Sequence, residues 1–138
     1  MSDSFSTGEF CGRTEAKEPV LTFAVITCSD TRDESQDTAG AALKERIAAR
    51  GWKCASYALV KDDRAEISAA IAAAADLPEV NVVLTCGGTG LSLRDVTPEA
   101  TRDVCDREVP GIAEGMRAYS LQITPRAMLS RALCMQRG

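Results

Sequence analysis

The sequence predicts an α/β fold, a three-layer sandwich with a mostly parallel central sheet and helices on both faces. Apolar runs of strand length alternate with helical patterns, which is typical of right-handed βαβ crossovers. The first run, residues 20–28, is almost continuously apolar or β-branched, as in a strand buried on both faces of a parallel sheet. The chain has 138 residues and is 45% hydrophobic, so it can fill one core of ordinary size.

The strand and helix signals follow one another in a regular order. The second and third strands are predicted over residues 52–60 and 81–85. Helices are predicted over about 39–50, 64–75, 97–106, 110–122 and 124–133. Their ends carry recognisable signals: Gly51 after the first helix, a capping box of Asp63 and Glu66 on the second, and a hydroxyl N-cap followed by proline at Thr97 and Thr124.

The domain boundaries follow from composition. Residues 1–18 are polar and lack periodicity, so we interpret them as a flexible leader before a single domain over 19–138. Only helices are predicted after the third strand, and residues 135–138 resemble a turn before another strand. We therefore favour a chain that lacks the C-terminal end of its domain over a complete domain with a small sheet.

Charge and hydropathy exclude several function classes. The net charge of −4 argues against nucleic-acid binding, because such domains usually carry a basic face. There is neither a long apolar run for a membrane span nor an N-terminal secretory signal, so we expect a cytoplasmic protein.

Cysteine and histidine usage narrows the chemistry further. The six cysteines never form C-x-x-C and the chain has no histidine, which argues against a zinc site and removes the commonest general base. Cys28, Cys54 and Cys86 lie in or beside apolar runs and are interpreted as structural filler.

Three loops follow the predicted strands at the carboxyl edge of the sheet, where ligands of open α/β sheets bind. They are the first loop (residues 29–38), the second loop (61–63) and the glycine loop (86–97). In the glycine loop, Gly87, Gly88 and Gly90 can adopt positive φ angles and let a ligand approach the backbone, so that their amides can form an anion-binding set. Thr89 and Ser92 add hydroxyl donors.

The second half of the glycine loop carries charge. Arg94 is predicted to clamp a phosphate with two parallel hydrogen bonds, and the helix beginning at Thr97 directs its positive end to the same space. Asp95 is unfavourable beside a phosphate unless it binds Mg²⁺ or accepts a proton, so it is a metal-ligand or acid/base candidate. The alternative is a plain turn in which glycines relieve strain and Arg94 pairs with Asp95 in solvent.

The other two loops leave more alternatives open. Ser29, Asp30, Asp33 and Asp37 form either a ligand site or a solvated turn in which Asp37 or Thr38 caps the next helix. In the second loop Asp63 is a cap, and Asp62 is free to face the site. Glu114 and Arg117 are spaced for a simple intrahelical ion pair.

The run CGGTGLSLRDVTPEAT closely resembles the signature of the MoaB/Mog family of molybdenum-cofactor biosynthesis proteins, a GGTG stretch followed by RDVTPEA. Further matches follow in order at 27–30, 37–40, 60–63, 110–117 and 128–132, so the resemblance covers roughly residues 20–135. It implies a molybdopterin-binding fold, usually a trimer or a hexamer, that transfers AMP from Mg-ATP to the terminal phosphate of molybdopterin. Other molybdenum-cofactor biosynthesis proteins are implied as partners.

The resemblance also assigns residue roles. It implies that residues 87–90 and Ser92 hold phosphates, and that Asp95 and Asp62 are the two functionally important aspartates, near the Mg²⁺ and the pterin phosphate. It places Ser29, Asp30 and Asp37 in the first-loop polar set and Glu114 and Arg117 on the helix that borders the pocket.

The sequence differs from the family pattern in two places, and two alternative interpretations of its function are considered. The family's C-terminal strand and pterin-holding Asn-Leu-Pro-Gly-Ser-Pro segment have no counterpart before residue 138, and Lys61 replaces a common proline; we expect Lys61 to be exposed. One rival is a binding protein that holds molybdopterin or its precursor without AMP transfer. The other is the related domain of competence-damage proteins, against which the RDVTPEA segment argues.

Overall fold

Three parallel strands form the central sheet of the structure, a computed structural model that describes residues 17–138. In chain order the elements are β1 Thr22–Cys28, α1 Thr38–Ala49, β2 Lys53–Val60, α2 Arg64–Ala75, β3 Val82–Cys86, α3 Thr97–Val104, β4 Arg107–Glu108, α4 Pro110–Leu121 and β5 Met135–Gln136. Short 3-10 helices cover Glu34–Gln36 and Pro125–Leu129. Most of the predicted leader lies outside the described residues.

The strand order is β2-β1-β3, so β1 lies in the middle and its side chains alternate between two cores. Ala24 and Ile26 face α2 and α3, in a cluster that also contains the fully buried Ile67. Phe23 and Val25 face α1 and pack with Ile47. Because β1 is sandwiched by helices on both faces, the predicted three-layer α/β arrangement is confirmed.

Most predicted elements agree with the structure to within two residues, and the second predicted helix matches α2 at both ends. Asp63 caps α2 by accepting a hydrogen bond from the amide of Glu66. Lys61 is exposed, as expected. No helix within residues 17–138 has the length and apolarity needed to span a membrane.

Three details of the prediction are wrong. Thr97 is not an N-cap, because α3 begins at Thr97 itself and Val96 precedes it without a side-chain cap. Cys54 is exposed rather than filler, since it lies on an edge strand of the sheet. Cys28 is buried as predicted, and burial raises the pKa of its thiol to about 11.

The third error concerns the C-terminal part. The predicted last helix is only the 3-10 helix Pro125–Leu129, after which the amide of Arg131 bonds to the carbonyl of Thr89 instead of continuing a helix. Residues 135–136 are not a turn but the strand β5, which pairs antiparallel with β4. Strands of two residues carry no periodicity, so tertiary pairing alone creates this small sheet.

Candidate functional site

The first, second and glycine loops meet at the carboxyl edge of the sheet, because they follow three adjacent parallel strands. Asp30 and Asp62 join the first two loops reciprocally. The amide of Asp30 donates to Oδ2 of Asp62 at 3.2 Å, and the amide of Asp62 donates to Oδ1 of Asp30 at 2.9 Å. Each carboxylate is therefore held in place by the backbone of the other loop.

The second oxygen of Asp62 has neither a hydrogen bond nor an ion pair at this edge of the sheet within the described residues. Oδ1 of Asp62 is buried and has no hydrogen-bond partner within the described residues. Burial raises the pKa of Asp62, and the negative charge of Asp95 raises it further. A carboxylate in this position is stabilised by a cation or a proton from a ligand.

Two glycines of the glycine loop use the left-handed backbone conformation that glycine allows. Gly87 has φ +96° and Gly88 has φ +69°, whereas Gly90 does not have a positive φ. A Cβ on Gly87 would lie 2.3 Å from the carbonyl oxygen of Cys28, and one on Gly88 would lie 2.3 Å from Oγ1 of Thr97. Both positions need glycine because the loop passes directly over β1 and the start of α3.

Gly90 is required for a different reason. A Cβ there would lie 2.7 Å from Oδ2 of Asp95, the same oxygen that accepts a hydrogen bond from the amide of Ser92 at 3.0 Å. The amide of Asp95 returns a bond to the carbonyl of Ser92 at 2.9 Å. Asp95 thus closes residues 92–95 into a tight turn, and its carboxylate lies near enough to Asp62 to raise that residue's pKa.

Arg94 does not pair with Asp95 in solvent. Its guanidinium forms an ion pair with Asp30, which joins the glycine loop to the first loop. The Arg94 side chain is 71% exposed and that of Asp30 21% exposed, so the arginine remains accessible to a ligand.

The glycine loop carries a row of unused backbone donors. Among the described residues, no hydrogen bond uses the amide nitrogens of Gly88, Thr89, Gly90 or Leu91. Successive free amides beside a positively charged side chain form the kind of concavity that binds a phosphate or another anion. The loop in which the glycine pattern predicts an anion site therefore carries four successive amides without a partner among the described residues, those of residues 88–91. We call these four amides the anion cradle.

Three predicted ligand-binding residues form hydrogen bonds within the protein that hold the loops and α1 in place. Asp37, 3% exposed, caps α1 through Gly40 and accepts hydrogen bonds from the hydroxyls of Thr27 and Tyr57, which favours the cap interpretation. The buried Thr97 donates its hydroxyl to the carbonyl of Gly87 at 2.9 Å. The hydroxyl of Ser29 accepts hydrogen bonds from the first loop's own amides.

The two predicted residues on α4 are not joined to this group. Within the described residues Glu114 makes no ion pair, so the intrahelical pair with Arg117 is absent. Arg117 instead donates to the carbonyl of Ala132 at 2.6 Å. It fixes the segment after the 3-10 helix rather than reaching the glycine loop.

Residue-by-residue reasoning missed the segment that closes the other side of the glycine loop. Arg131 bonds to three loop carbonyls and to Glu99. Beside it lies a cleft of about 340 Å³, lined by Thr89, Gly90, Leu91, Arg126, Leu129 and Ser130. The available signal was the match at residues 128–132, which carried no assigned role.

Comparisons with known proteins agree with the resemblance. The family described as "Probable molybdopterin binding domain" matches residues 24–137. Molybdenum cofactor biosynthesis protein B of Bacillus cereus is 44% identical over 111 residues, which cover 79% of this chain and 66% of that protein. Molybdopterin adenylyltransferase of Escherichia coli is 48% identical over 73 residues, which cover 53% of this chain and 37% of that protein.

The fold comparison gives the same result. A crystal structure of molybdenum cofactor biosynthesis protein B has a TM-score of 0.82 and 41% identity, covering 87% of this chain and 76% of that one. The chain spans just under two thirds of the length of the Bacillus cereus relative.

Proposed function

The chain belongs to the molybdopterin-binding domain family, and on that premise we propose that it acts in molybdenum cofactor biosynthesis as a molybdopterin adenylyltransferase. In this reaction an oxygen of the terminal phosphate of molybdopterin attacks the α-phosphorus of ATP. The bond between the α-phosphorus and the oxygen that bridges to the β-phosphate breaks, and pyrophosphate leaves. The similarity to the Escherichia coli adenylyltransferase supports this reaction class.

The observation that carries the proposal is the row of free amides at residues 88–91, with Arg94 and two carboxylates at the same edge of the sheet. Transfer between phosphates needs positioning and charge stabilisation more than covalent help from the protein. In this proposal the amides and Arg94 bind phosphate oxygens. No histidine is required, in agreement with the composition.

The two carboxylates fit Mg²⁺. Mg²⁺ is commonly held by one or two carboxylates together with waters and substrate phosphates. Asp62 offers an unpartnered oxygen and Asp95 lies near it, whereas no group of three or more such ligands occurs within residues 17–138. When bound with ATP, Mg²⁺ neutralises phosphate charge; Asp62 and Asp95 would hold it.

A second candidate function is binding of molybdopterin or its precursor without AMP transfer. It is favoured by one comparison: the Bacillus cereus relative, whose similarity extends over most of this chain, is named molybdenum cofactor biosynthesis protein B. The similarity to the adenylyltransferase covers about half of the chain.

One experiment separates the two functions. The protein is incubated with molybdopterin, Mg²⁺ and ATP while pyrophosphate release and pterin binding are both measured. The adenylyltransferase proposal expects release, its loss in Asp95→Asn and retained folding in that variant. Pterin binding without release would establish the second function, and absence of both would refute the proposal.

The proposal extends to the assembly. Ile112, Met116, Tyr119 and Ile123 recur at helical spacing from α4 onward and are all more than half exposed. A contiguous apolar stripe of this kind is typical of a subunit interface. We expect it to contact a second copy of the chain in the trimer or hexamer that the resemblance implies.

The proposed compartment is the cytoplasm. Cys28, Cys54, Cys86, Cys105 and Cys134 are all free thiols in the described part of the chain. Reduced cysteines agree with a reducing compartment.

A further inference from the structure

Arg131 holds the glycine loop at three carbonyls, through its own backbone amide and its own side chain. Its amide donates to the carbonyl of Thr89 at 2.8 Å. Its guanidinium donates to the carbonyls of Gly90 at 2.7 Å and Asp95 at 2.6 Å. One residue therefore holds three carbonyls that lie 36 to 42 positions earlier in the chain.

Glu99 fixes the direction of this guanidinium. The carboxylate of Glu99, in the first turn of α3, accepts hydrogen bonds from two nitrogens of Arg131. This pairing lowers the pKa of Glu99, so the carboxylate is charged at neutral pH. A planar guanidinium with five donors can serve a carboxylate and two carbonyls together, which a lysine ammonium on a flexible stem cannot do with the same geometry.

The direction of each bonded carbonyl also fixes the direction of the amide that follows it in the chain. In a planar trans peptide the carbonyl and the following N–H point in opposite directions. The carbonyls of Thr89, Gly90 and Asp95 point toward Arg131, so the amides of Gly90, Leu91 and Val96 point away from it. None of these three amides has a hydrogen-bond partner within the described residues.

We infer that Arg131 is the positioning residue of the anion cradle: it anchors the carbonyls of the glycine loop so that the loop amides are held ready for the phosphates. This role deepens the proposed function and rests on it. Arg131 touches no substrate in this role; it acts through the loop backbone. The cradle is thereby preorganised, and the ligand does not have to order the loop on binding.

Arg137 offers a matched control. It too pairs with a carboxylate through two nitrogens, those contacting Asp76, and donates to a backbone carbonyl, that of Val104 at 2.6 Å. None of its contacts is with the glycine loop. Arg131→Met and Arg137→Met each remove a guanidinium that bonds to a carboxylate and to backbone carbonyl oxygen. Only Arg131→Met should disturb the cradle.

The experiment uses the full chain and two readouts. Amide order across residues 88–96 is measured by ¹⁵N relaxation, and inorganic pyrophosphate affinity is measured by titration calorimetry. We expect Arg131→Met to lower the order of the loop and to weaken pyrophosphate binding about tenfold or more. Arg131→Lys should recover only part of either, and Arg137→Met should leave both unchanged.

The outcomes separate this inference from the proposed function. Unchanged loop order in folded Arg131→Met would overturn the positioning role, as would an equal loss of order in Arg137→Met. If the wild-type chain does not bind pyrophosphate, the cradle of the proposed function fails. The relaxation comparison still decides whether Arg131 orders the loop. Loss of stability alone, with order and affinity retained, would reduce Arg131 to a structural ion pair.

Discussion

Replacing Gly88 by alanine tests whether the glycine loop depends on its close approach to α3. Gly51 is the control, because it has nearly the same backbone angle, φ +73° against +69° for Gly88. No atom would lie within 4 Å of a Cβ at Gly51, whereas a Cβ at Gly88 would lie 2.3 Å from Oγ1 of Thr97. The two substitutions share the backbone strain and differ in the contact.

The expected losses of stability follow from these contacts. Left-handed strain costs about 1–2 kcal/mol for a residue with a Cβ. Reduced freedom of the unfolded chain offsets about 0.4–1 kcal/mol of this. The net loss for Gly51→Ala is then about 0–1.6 kcal/mol. At Gly88, overpacking adds about 1–3 kcal/mol and the disturbed hydrogen bond from Thr97 about 1 kcal/mol, for a total of about 2–5.6 kcal/mol.

Urea denaturation followed by far-ultraviolet circular dichroism measures both losses. Circular dichroism is preferred to fluorescence because the single tryptophan, Trp52, adjoins Gly51. The midpoints are compared at equal m-values, so that the difference reports stability rather than a change of the unfolded state. Gly88→Ala should also weaken pyrophosphate binding, since the added methyl displaces the loop that carries the amides.

Equal losses of stability at the two glycines would refute the reasoning. In that case the approach of Gly88 to Thr97 would cost nothing, and the loop would be free to relax. A greater loss at Gly51 than at Gly88 would contradict it more strongly. Intact pyrophosphate affinity in a destabilised Gly88→Ala would separate the packing argument, which would stand, from the cradle, which would not.

Three further predictions concern charge and assembly. Asp62→Asn should be more stable than the wild type by about 0.5–2 kcal/mol at neutral pH. Folding raises the pKa of Asp62 above its unfolded value of 3.8, so ionisation of this carboxyl costs the wild type stability as the pH rises through the folded-state pKa. The stability advantage of Asp62→Asn should therefore vanish in urea titrations at low pH. An advantage that does not change with pH would show that ionisation of Asp62 is not its cause. Arg94→Lys should weaken pyrophosphate binding severalfold in calorimetry, since lysine lacks the bidentate fork; unchanged affinity would leave Arg94 only its ion pair with Asp30. Met116→Ser with Tyr119→Ser should lower the sedimenting mass in ultracentrifugation, and a wild-type chain that sediments as a monomer would refute the subunit interface.

Local patterns predicted the secondary structure where each element carries its own signal. The apolar run of β1 and the cap at Asp63 can be recognised from the sequence alone, because each signal consists of residues that are close together along the chain. Prediction failed for β4, β5 and the last helix. Two-residue strands have no period, and the chain after Leu129 is diverted by its bond to Thr89.

The candidate site divides in the same way. The glycine spacing alone indicated an anion-binding loop, but the reason that Gly90 is a glycine, its close approach to Asp95, is visible only in the structure. The alternative pairing of Arg94 with Asp95 considers only neighbours in the sequence. In the structure Arg94 pairs with Asp30, which lies on another loop.

The sequence by itself determined the α/β class, the order of the main elements, the family and the composition of the glycine loop, because these depend on residues close together along the chain. Only the tertiary structure decided that Asp30 and Asp62, 32 residues apart, hold each other, and that Arg131 reaches back 41 residues to the carbonyl of Gly90. Parallel strands bring their carboxyl ends to one edge whatever their separation in sequence. Which side chains meet at that edge therefore depends on how the strands are connected and ordered in the sheet. Patterns of neighbouring residues do not contain this information.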